Sequence, residues 1–411
     1  MGAVAEVVPG HGGSYGRLFA EPVLRRLAMA DVCARLPQGM LSMTLLLVAA
    51  QYASMRAAGL VLAGCTLGQA GTGPLRGRLA DRHGLFPVAT VCGAGYLLAL
   101  VGLLAAALAR SPAIILAGAG LVAGLVTPPL SPGLRSLWSR HAGDRLRPAA
   151  FALDAAVFDL AYLAGPVVAS ALATGAGPVA ALVVLLGLTS AGVAAVRPYS
   201  RYGDAPPGRG SLLGLRCFPA LRRLLVTAAL ANTALSAAEV ALTAYARSHH
   251  ALWASGPLLA GVSAGSITGS LLLGARARGG NGRSRLSRLL ACYTLGLAGL
   301  TAAGLYAPLL AVAAPLAGLF LGPTLATLFA DAAASAPHGS GTEAQSWLNS
   351  IMNGGAAAGA ALAGLAAGHP ILGLAVPAVA AALATASAVG TARGRGNADV
   401  AGDSRSAVGN G

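Results

Sequence analysis

The sequence Gly77-Arg-Leu-Ala-Asp-Arg-His-Gly84 is a short charged turn between two long uncharged stretches, 57–75 and 84–109. Each stretch is about as long as the 20 apolar residues that a helix needs to cross a bilayer. The glycines allow two helices to approach closely and the chain to turn sharply. The aspartate and the arginine can pair, or meet the end of a helix, in one conformation and separate in another. The pattern predicts a tight charged turn between two membrane helices.

The composition of the whole chain points the same way. Of the 411 residues, 56% are hydrophobic and only 10% are charged, and the mean hydropathy is +0.70. A soluble domain carries about 25% charged residues, which coat its surface. The five cysteines are odd in number and scattered, so they predict neither a disulfide framework nor a metal site. The sequence therefore predicts a membrane protein without a cofactor and excludes soluble enzymes and disordered proteins.

Uncharged stretches long enough to cross a membrane recur along the chain. Two of them are too long for one helix and are expected to fold into hairpins, with breaks at Gly175-Ala-Gly-Pro178 and near Tyr306-Ala-Pro308. Two further helices, near 27–53 and 222–246, contain a few charges. We predict an all-α membrane protein with twelve transmembrane helices, in which the uncharged stretches are 57–75, 84–109, 111–134, 160–196, 251–275, 289–330, 344–368 and 370–392.

The distribution of positive charge predicts the orientation of the chain. All 28 basic residues are arginines, and 24 of them precede the first helix, follow the last, or lie in alternate loops. The loops on the other side hold only Arg56, Arg110 and Arg247. Because cytoplasmic loops carry the excess of positive charge, we expect a multi-pass protein of the plasma membrane (a bacterial inner membrane) with both termini cytoplasmic. The arginine clusters are interpreted as topology signals, solvated or facing lipid, and not as a nucleic-acid site.

The longest polar stretch, 197–220, divides the chain into two halves. It contains Gly203-Asp-Ala-Pro-Pro-Gly208 and is typical of a linker. Similar Gly- and Arg-rich turns follow the second helix of each half, which suggests two repeated halves. We predict a cytoplasmic segment at 1–26, a six-helix bundle at 27–196, the cytoplasmic linker at 197–220, a pseudo-symmetric six-helix bundle at 221–392 and a disordered cytoplasmic tail at 393–411.

The turn at 77–84 resembles the signature loop of the major facilitator superfamily of transporters, Gly-x-Leu-Ala-Asp-Arg-x-Gly. The stretches 35–40, 128–138, 165–166 and 342–347 resemble bacterial, particularly actinobacterial, efflux-type members. The resemblance covers nearly the whole chain. It implies a monomer whose two halves rock around a central cavity lined mainly by helices one, four, seven and ten. It also implies that the signature loop helps to latch the inward gate, through Gly77, Asp81, Arg82 and Gly84.

Charged residues at membrane depth are candidate functional residues, because each costs about 2.5–3.5 kcal/mol to insert. Asp159 lies about 16 Å into helix five, near the midplane, and is either a proton carrier or a structural hydrogen-bond partner of a neighbouring helix. The i,i+4 spacing of Asp31 and Arg35 predicts an ion pair along one helix. The alternative is that Arg35 meets Asp159 or an anionic substrate. Glu239 is a proton or cation site, or is solvated near the outer mouth.

Polar residues on the membrane helices are the second group of candidates. Asn349 and Asn353 lie on helix eleven and Asn232 on helix seven, where they either line the cavity or hold helices together. Asp154, about two turns inside helix five, is expected to pair with an arginine of an inner loop. His249 and its neighbour lie in an outer loop without a cysteine or carboxylate cluster, so no metal site is predicted.

These observations predict a secondary transporter that exports a small amphipathic molecule in exchange for protons. The alternatives are an importer or uniporter of a metabolite, and a transporter-derived protein without transport activity. The absence of an arginine early in helix four, at 112–120, fits the last alternative. No catalytic cluster is visible at membrane depth and no lysine exists for a phosphate-binding Gly-x-x-x-x-Gly-Lys motif, so no enzymatic activity is predicted. The expected partners are the substrate, protons and the lipid bilayer.

Overall fold

The computed structural model describes residues 14–52, 55–202, 219–250, 254–275, 282–337, 339–366, 369 and 371–389. In these ranges the regular structure is helical, without a strand. The first 13 residues, most of the predicted linker and the predicted tail lie outside the described residues. The α-helices are α1 (Ser14–Ala20), α2 (Pro22–Tyr52), α3 (Met55–His83), α4 (Leu85–Leu108), α5 (Ala113–Leu125), α6 (Leu130–His141), α7 (Gly143–Ala176), α8 (Pro178–Ala195), α9 (Pro219–Ser248), α10 (Ser255–Ala275), α11 (Gly282–Ala303), α12 (Leu310–Gly318), α13 (Leu321–Ser335), α14 (Gly341–Leu365) and α15 (Ile371–Val389).

Within the described ranges, ten segments are long and apolar enough to cross a membrane, counting α5–α6 and α12–α13 as one segment each. The other two long helices, α3 and α14, have 29 and 25 residues. At 1.5 Å per residue they are about 44 and 38 Å long, enough to span the bilayer. They are more polar because they pack against each other inside the protein. The predicted all-α fold of twelve membrane helices in two bundles is confirmed.

Two of the four interruptions in the membrane helices follow the sequence prediction. α7 ends at Ala176 and α8 begins at Pro178, and the chain between α11 and α12 turns near Tyr306. The predicted single helix at 111–134 is wrong in detail, because Pro128 and Pro129 break it between α5 and α6. The corresponding helix of the second half is also broken, between α12 and α13. The first membrane helix begins at Pro22 and not at residue 27, since the chain turns after α1.

The outer surface of the bundle is apolar. Leu98, Ile114, Leu295 and Leu365 each expose more than two thirds of their surface, with values of 74%, 77%, 71% and 86%. Such side chains are stable at the surface of a protein that is surrounded by lipid tails. Buried leucines and alanines form the core, in two clusters within the first half and a third that joins the second half to Phe151 and Ala155 of α7.

Two small residues set the crossing of α2 and α7. A Cβ atom added at Gly39 would collide with the backbone carbonyl of Ala161, and one added at Gly165 would collide with the backbone of Gly39. The two helices are therefore in backbone contact at this point. Larger residues would force them apart, so glycine is required at both positions. This close crossing brings the charged residues of α2 next to those of α7.

Candidate functional site

A cavity of about 200 Å³ lies between the two halves. The prediction that helices one, four, seven and ten line it is incomplete, because α3 and α14, the second and eleventh membrane helices, also contribute. They contribute because their polar faces meet where the halves touch. The charged and amide side chains that line the cavity are Arg35, Arg76, Arg135, Gln38, Gln69, Asn232, Asn349 and Asn353.

Four buried charged residues form a network beside this cavity. The Nε of Arg35 donates to Oδ1 of Asp31 at 3.0 Å, which is the i,i+4 pair that the spacing predicts. The Nη2 of Arg35 also binds Oδ1 of Asp154, and the Nε of Arg135 binds Oδ2 of Asp154 at 2.9 Å. All four side chains are at most 1% exposed. Two carboxylates thus balance two guanidinium groups, which compensates their desolvation.

This network bears on three interpretations of the sequence. The carboxylate partners of Arg35 are Asp31 and Asp154, and the alternative that it meets Asp159 is not found. Arg135 and Arg76, counted among the inner-loop arginines, are buried at the cavity and are neither solvated nor facing lipid. The predicted pairing of Asp154 with one of these arginines is present, but its partner Arg135 lies inside the protein, since helix four continues through it to His141.

Arg135 also connects the two halves of the protein. Its Nη1 donates to Oδ1 of Asn349 on α14 at 3.0 Å. Its guanidinium carbon lies 3.3 Å from the ring centroid of Phe329 on α13, a cation–π contact. Sequence reasoning named Asn349 but missed Arg135. The sequence feature that indicates a buried Arg135 is its place close to two prolines, at the end of an otherwise apolar helix.

Asp159 lies at a second contact between the halves. The hydroxyl of Ser266, on α10, donates to Oδ2 of Asp159, on α7. This is a bond to a neighbouring helix, as one of the two predicted interpretations requires, and the proton-carrier interpretation is compatible with it. Glu239 is exposed on α9. Neither carboxylate is among the described residues that line the cavity.

The three predicted asparagines line the cavity, and two of them form a hydrogen bond with a residue of another helix. Asn232 on α9 donates from Nδ2 to the backbone carbonyl of Met352 at 2.7 Å, which ties α9 to α14. Asn349 accepts from Arg135. The predicted alternatives, lining the cavity and holding helices together, therefore apply to the same residues.

The signature turn joins the halves at one end of the cavity. Asp81, at the end of α3, accepts from the backbone nitrogens of Thr342 and Glu343 at 3.0 and 2.8 Å. These nitrogens lie in the first turn of α14, where the helix dipole favours a negative charge. Ser340, which precedes α14, makes no side-chain cap of its own, so Asp81 supplies the cap from the other half. The predicted meeting of an aspartate with a helix end is present, across the two halves.

The other three residues of the turn have distinct surroundings. A Cβ atom at Gly77 would collide with the side chain of Ser346 on α14, so glycine allows α3 and α14 to touch. Gly84 has a φ of 90°, a value that glycine adopts without strain, and it separates α3 from α4. Arg82 is exposed. The helices are closely packed at this end, which is the predicted cytoplasmic end.

The short helix α1 adds a further contact at the same end. The hydroxyl of Tyr15 donates to the backbone carbonyl of Leu271 on α10 at 3.0 Å. Burial raises the pKa of Tyr15 to about 12, so the phenol keeps its proton and remains a donor. The segment before the first membrane helix is thus attached to the opposite half.

Comparisons with known proteins agree with this geometry. The model of the Major Facilitator Superfamily matches residues 27–360. A search of curated protein sequences found no significant match. The solved structures that resemble the chain include the human organic anion transporter MFSD10 (17% identity, TM-score 0.69, 90% of this chain and 99% of that one). A bacterial homologue of the iron transporter ferroportin in an outward-facing state (14%, 0.73, 90% and 99%) and the E. coli fucose:proton symporter FucP (13%, 0.65, 90% and 98%) are also similar.

These structures are less than 25% identical to the chain, so they are evidence for the fold alone. The family match covers most of the chain, including the signature turn and the helices that surround the cavity. Together with the apolar helices it defines a multi-pass membrane protein of the transporter type. The chain belongs to the major facilitator superfamily.

Proposed function

We propose that the chain is a proton-coupled secondary transporter that exports a small amphipathic molecule, with Asp159 as the proton carrier. The observation that carries the proposal is the bond between Asp159 and Ser266, because it joins the two halves. A transporter of this fold moves one half against the other to open its cavity to alternate sides. A carboxylate bonded across the halves loses its partner in that movement, and its proton affinity changes with it.

The cavity supports an amphipathic cargo. Phe158 and Tyr162 offer apolar ring faces, whereas the arginines and amides offer hydrogen bonds. A molecule with an apolar body and a polar group can use both kinds of contact at once. The structure is closed at the signature turn, so the cavity is sealed from the predicted cytoplasm by Asp81 and the contact of Gly77 with Ser346.

The test is proton movement in inverted membrane vesicles energised to an acid interior. Amphipathic anions, cations and neutral molecules are added to vesicles with wild-type protein, Asp159→Asn or the control Glu21→Gln, which changes an exposed carboxylate before α2. We expect at least one compound to collapse the gradient with wild type and with the control, but not with Asp159→Asn. If Asp159→Asn also responds, another group carries the proton. If wild type is inert to every compound, antiport is wrong, and an importer, a uniporter or a non-transporting relative takes its place.

The orientation is part of the same proposal. The arginine distribution supports a plasma-membrane protein with both termini in the cytoplasm. Fusing green fluorescent protein or alkaline phosphatase to the C-terminus tests this, because the first is fluorescent only in the cytoplasm and the second active only outside it. Phosphatase activity without fluorescence would reverse the orientation and, with it, the direction of transport.

A further inference from the structure

The walls of the central cavity carry positive charge without matching negative charge. Arg35, Arg76 and Arg135 all line it, whereas no aspartate or glutamate is present among the lining residues that the structure describes. Asp31 and Asp154 lie behind the arginines and balance Arg35 and Arg135. Among these three lining arginines, Arg76 is the one whose charge Asp31 and Asp154 do not balance. A molecule bound in the cavity therefore meets its positive charge.

Arg76 has no carboxylate partner within the described part of the chain. It is 8% exposed, and its guanidinium donates to two backbone carbonyls, those of Thr127 and, at 3.0 Å, Gln69. Carbonyl oxygens satisfy donors but do not neutralise a full charge. A buried cation without a counter-ion is costly in a membrane protein, so an anion that enters the cavity gains from it.

Each of the three arginines also has a nitrogen that is left without a partner. Nη1 of Arg35, Nε of Arg76 and Nη2 of Arg135 are buried, and among the described residues none of them makes a hydrogen bond. Buried donors of this kind are rare because each one costs free energy until it is satisfied. These three nitrogens are enclosed by protein, so an acceptor in the cavity reaches them only when the guanidinium groups rotate toward it.

The amides of the cavity add further donors. Gln38 accepts from the Ser131 hydroxyl at 2.7 Å through its oxygen, and Asn349 accepts from Arg135 through its oxygen. Their NH₂ groups therefore remain as donors. Asn232 and Gln69 differ, since their NH₂ groups donate to Met352 and to the sulfur of Cys65 and leave their oxygens as acceptors. The charged groups that line the cavity are nevertheless all donors, because they are guanidinium groups.

We infer that the cavity binds the anionic head group of a small organic molecule, a carboxylate or a phosphate, with Arg76 as its main counter-charge and Arg35 and Arg135 as further donors. Guanidinium groups bind both kinds of head group through paired N–H···O bonds. The rings of Phe158 and Tyr162 then contact the apolar part. The inference rests on the proposed transport function and names the class of its cargo.

The test measures binding directly, on the purified full-length chain in lipid nanodiscs without a proton gradient. The probes share a phenyl tail and differ in the head group: 3-phenylpropionate and phenyl phosphate are anionic, 3-phenylpropionamide is neutral and 3-phenylpropylamine is cationic. Thermal unfolding at increasing ligand concentration gives each dissociation constant. We expect at least one anion to bind more tightly than the amide, and the amine not to raise the unfolding temperature.

Variants locate the binding to the cavity. Arg76→Gln should weaken the binding of the anion about tenfold or more, because it removes a charged hydrogen-bond donor. Arg76→Lys keeps the charge and should retain part of the affinity. Arg222→Gln removes an equal charge from an exposed position at the start of α9 and should leave the affinity unchanged. A purely structural role of Arg76 would lower the unfolding temperature without changing the preference for anions.

Three results would overturn the inference: equal or tighter binding of the amine, equal anion affinity of Arg76→Gln and wild type, or no shift with either anion up to about 10 mM. Because no gradient is used, the outcome is independent of proton coupling. Anion binding without gradient collapse in vesicles would leave this site standing and remove proton-coupled export. Gradient collapse by cations alone would support proton-coupled export and contradict an anionic cargo.

Discussion

Asp154 and Asp159 are the same residue type on the same helix, five positions apart, yet their surroundings are opposite. At 100° per residue the two side chains point about 140° apart around α7. Asp154 faces α2 and α6, where two buried guanidinium groups of its own half bind it. Asp159 faces α10 of the other half, where a single neutral hydroxyl binds it. Asp154 therefore has two fixed counter-ions within its own half, whereas the bond of Asp159 depends on how the two halves are placed.

Of the variants that test this comparison, Asp154→Asn should lose the most stability. The variant leaves Arg35 and Arg135 buried with one carboxylate, and we expect it to lose about 3–5 kcal/mol of stability. Asp159→Asn, which breaks no ion pair, is the matched control and should lose much less. Thermal and denaturant unfolding of the purified proteins measure both. Equal losses in the two variants would show that the ion pairs of Asp154 do not distinguish it.

Asp31→Asn should have a smaller effect than Asp154→Asn, because Arg35 keeps its bond to Asp154. The lost bond joins two charged groups, and such a bond contributes about 1.5–3 kcal/mol. The unfolding assay used for Asp154→Asn measures it. A loss as large as that of Asp154→Asn would mean that Arg35, and not Asp154, is the centre of the network.

Asp81 is a third kind of carboxylate, bound by backbone nitrogens of the opposite half. Asp81→Ala removes the cap of α14 and should cost about 0.5–2 kcal/mol. Asp81→Asn is the control, because asparagine also caps helices and should retain most of the stability. Labelling of a single cysteine placed near Ser346 should become faster in Asp81→Ala as the halves separate at this end. Unchanged labelling would mean that the cap does not hold the halves together.

Ser266→Ala should have the smallest effect on stability, about 0.5–1.5 kcal/mol, because it removes one hydrogen bond from a neutral donor. Its main effect should be on the distance between the halves, measured by spin labels on α7 and α10. Ser270→Ala is the control. Ser270 lies one turn further along α10, is buried, and its hydroxyl makes no hydrogen bond among the described residues. Identical distance distributions in both variants would contradict a role for the Asp159 contact in holding the closed state.

Much of the fold follows from local pattern. Hydrophobic stretches give the helices, and a glycine followed by a proline gives the turn before Pro178. The break before Leu130 was also readable, since Pro128 and Pro129 interrupt the stretch, but the absence of charge suggested one continuous helix. Local pattern fails where an irregular backbone is stabilised by distant side chains.

The site was less predictable for the same reason. The i,i+4 pair of Asp31 and Arg35 needs only one helix and was found. Arg135 meets Asp154 and Asn349, which are 19 and 214 residues away, so no local pattern reports either contact. A charge that is balanced by tertiary structure looks, in the sequence, like one that lies at the membrane surface.

The break between α5 and α6 links ligand binding to the backbone. It frees the carbonyl oxygen of Thr127, and Arg76 supplies the donor for it. A head group that binds the guanidinium of Arg76 must compete with the carbonyl oxygen of Thr127 for the same donor. The backbone at the break is therefore a weak competitor of the ligand. Occupancy of the cavity should therefore shift the carbonyl stretching frequency of an isotopically labelled Thr127, which reports binding without a label on the ligand.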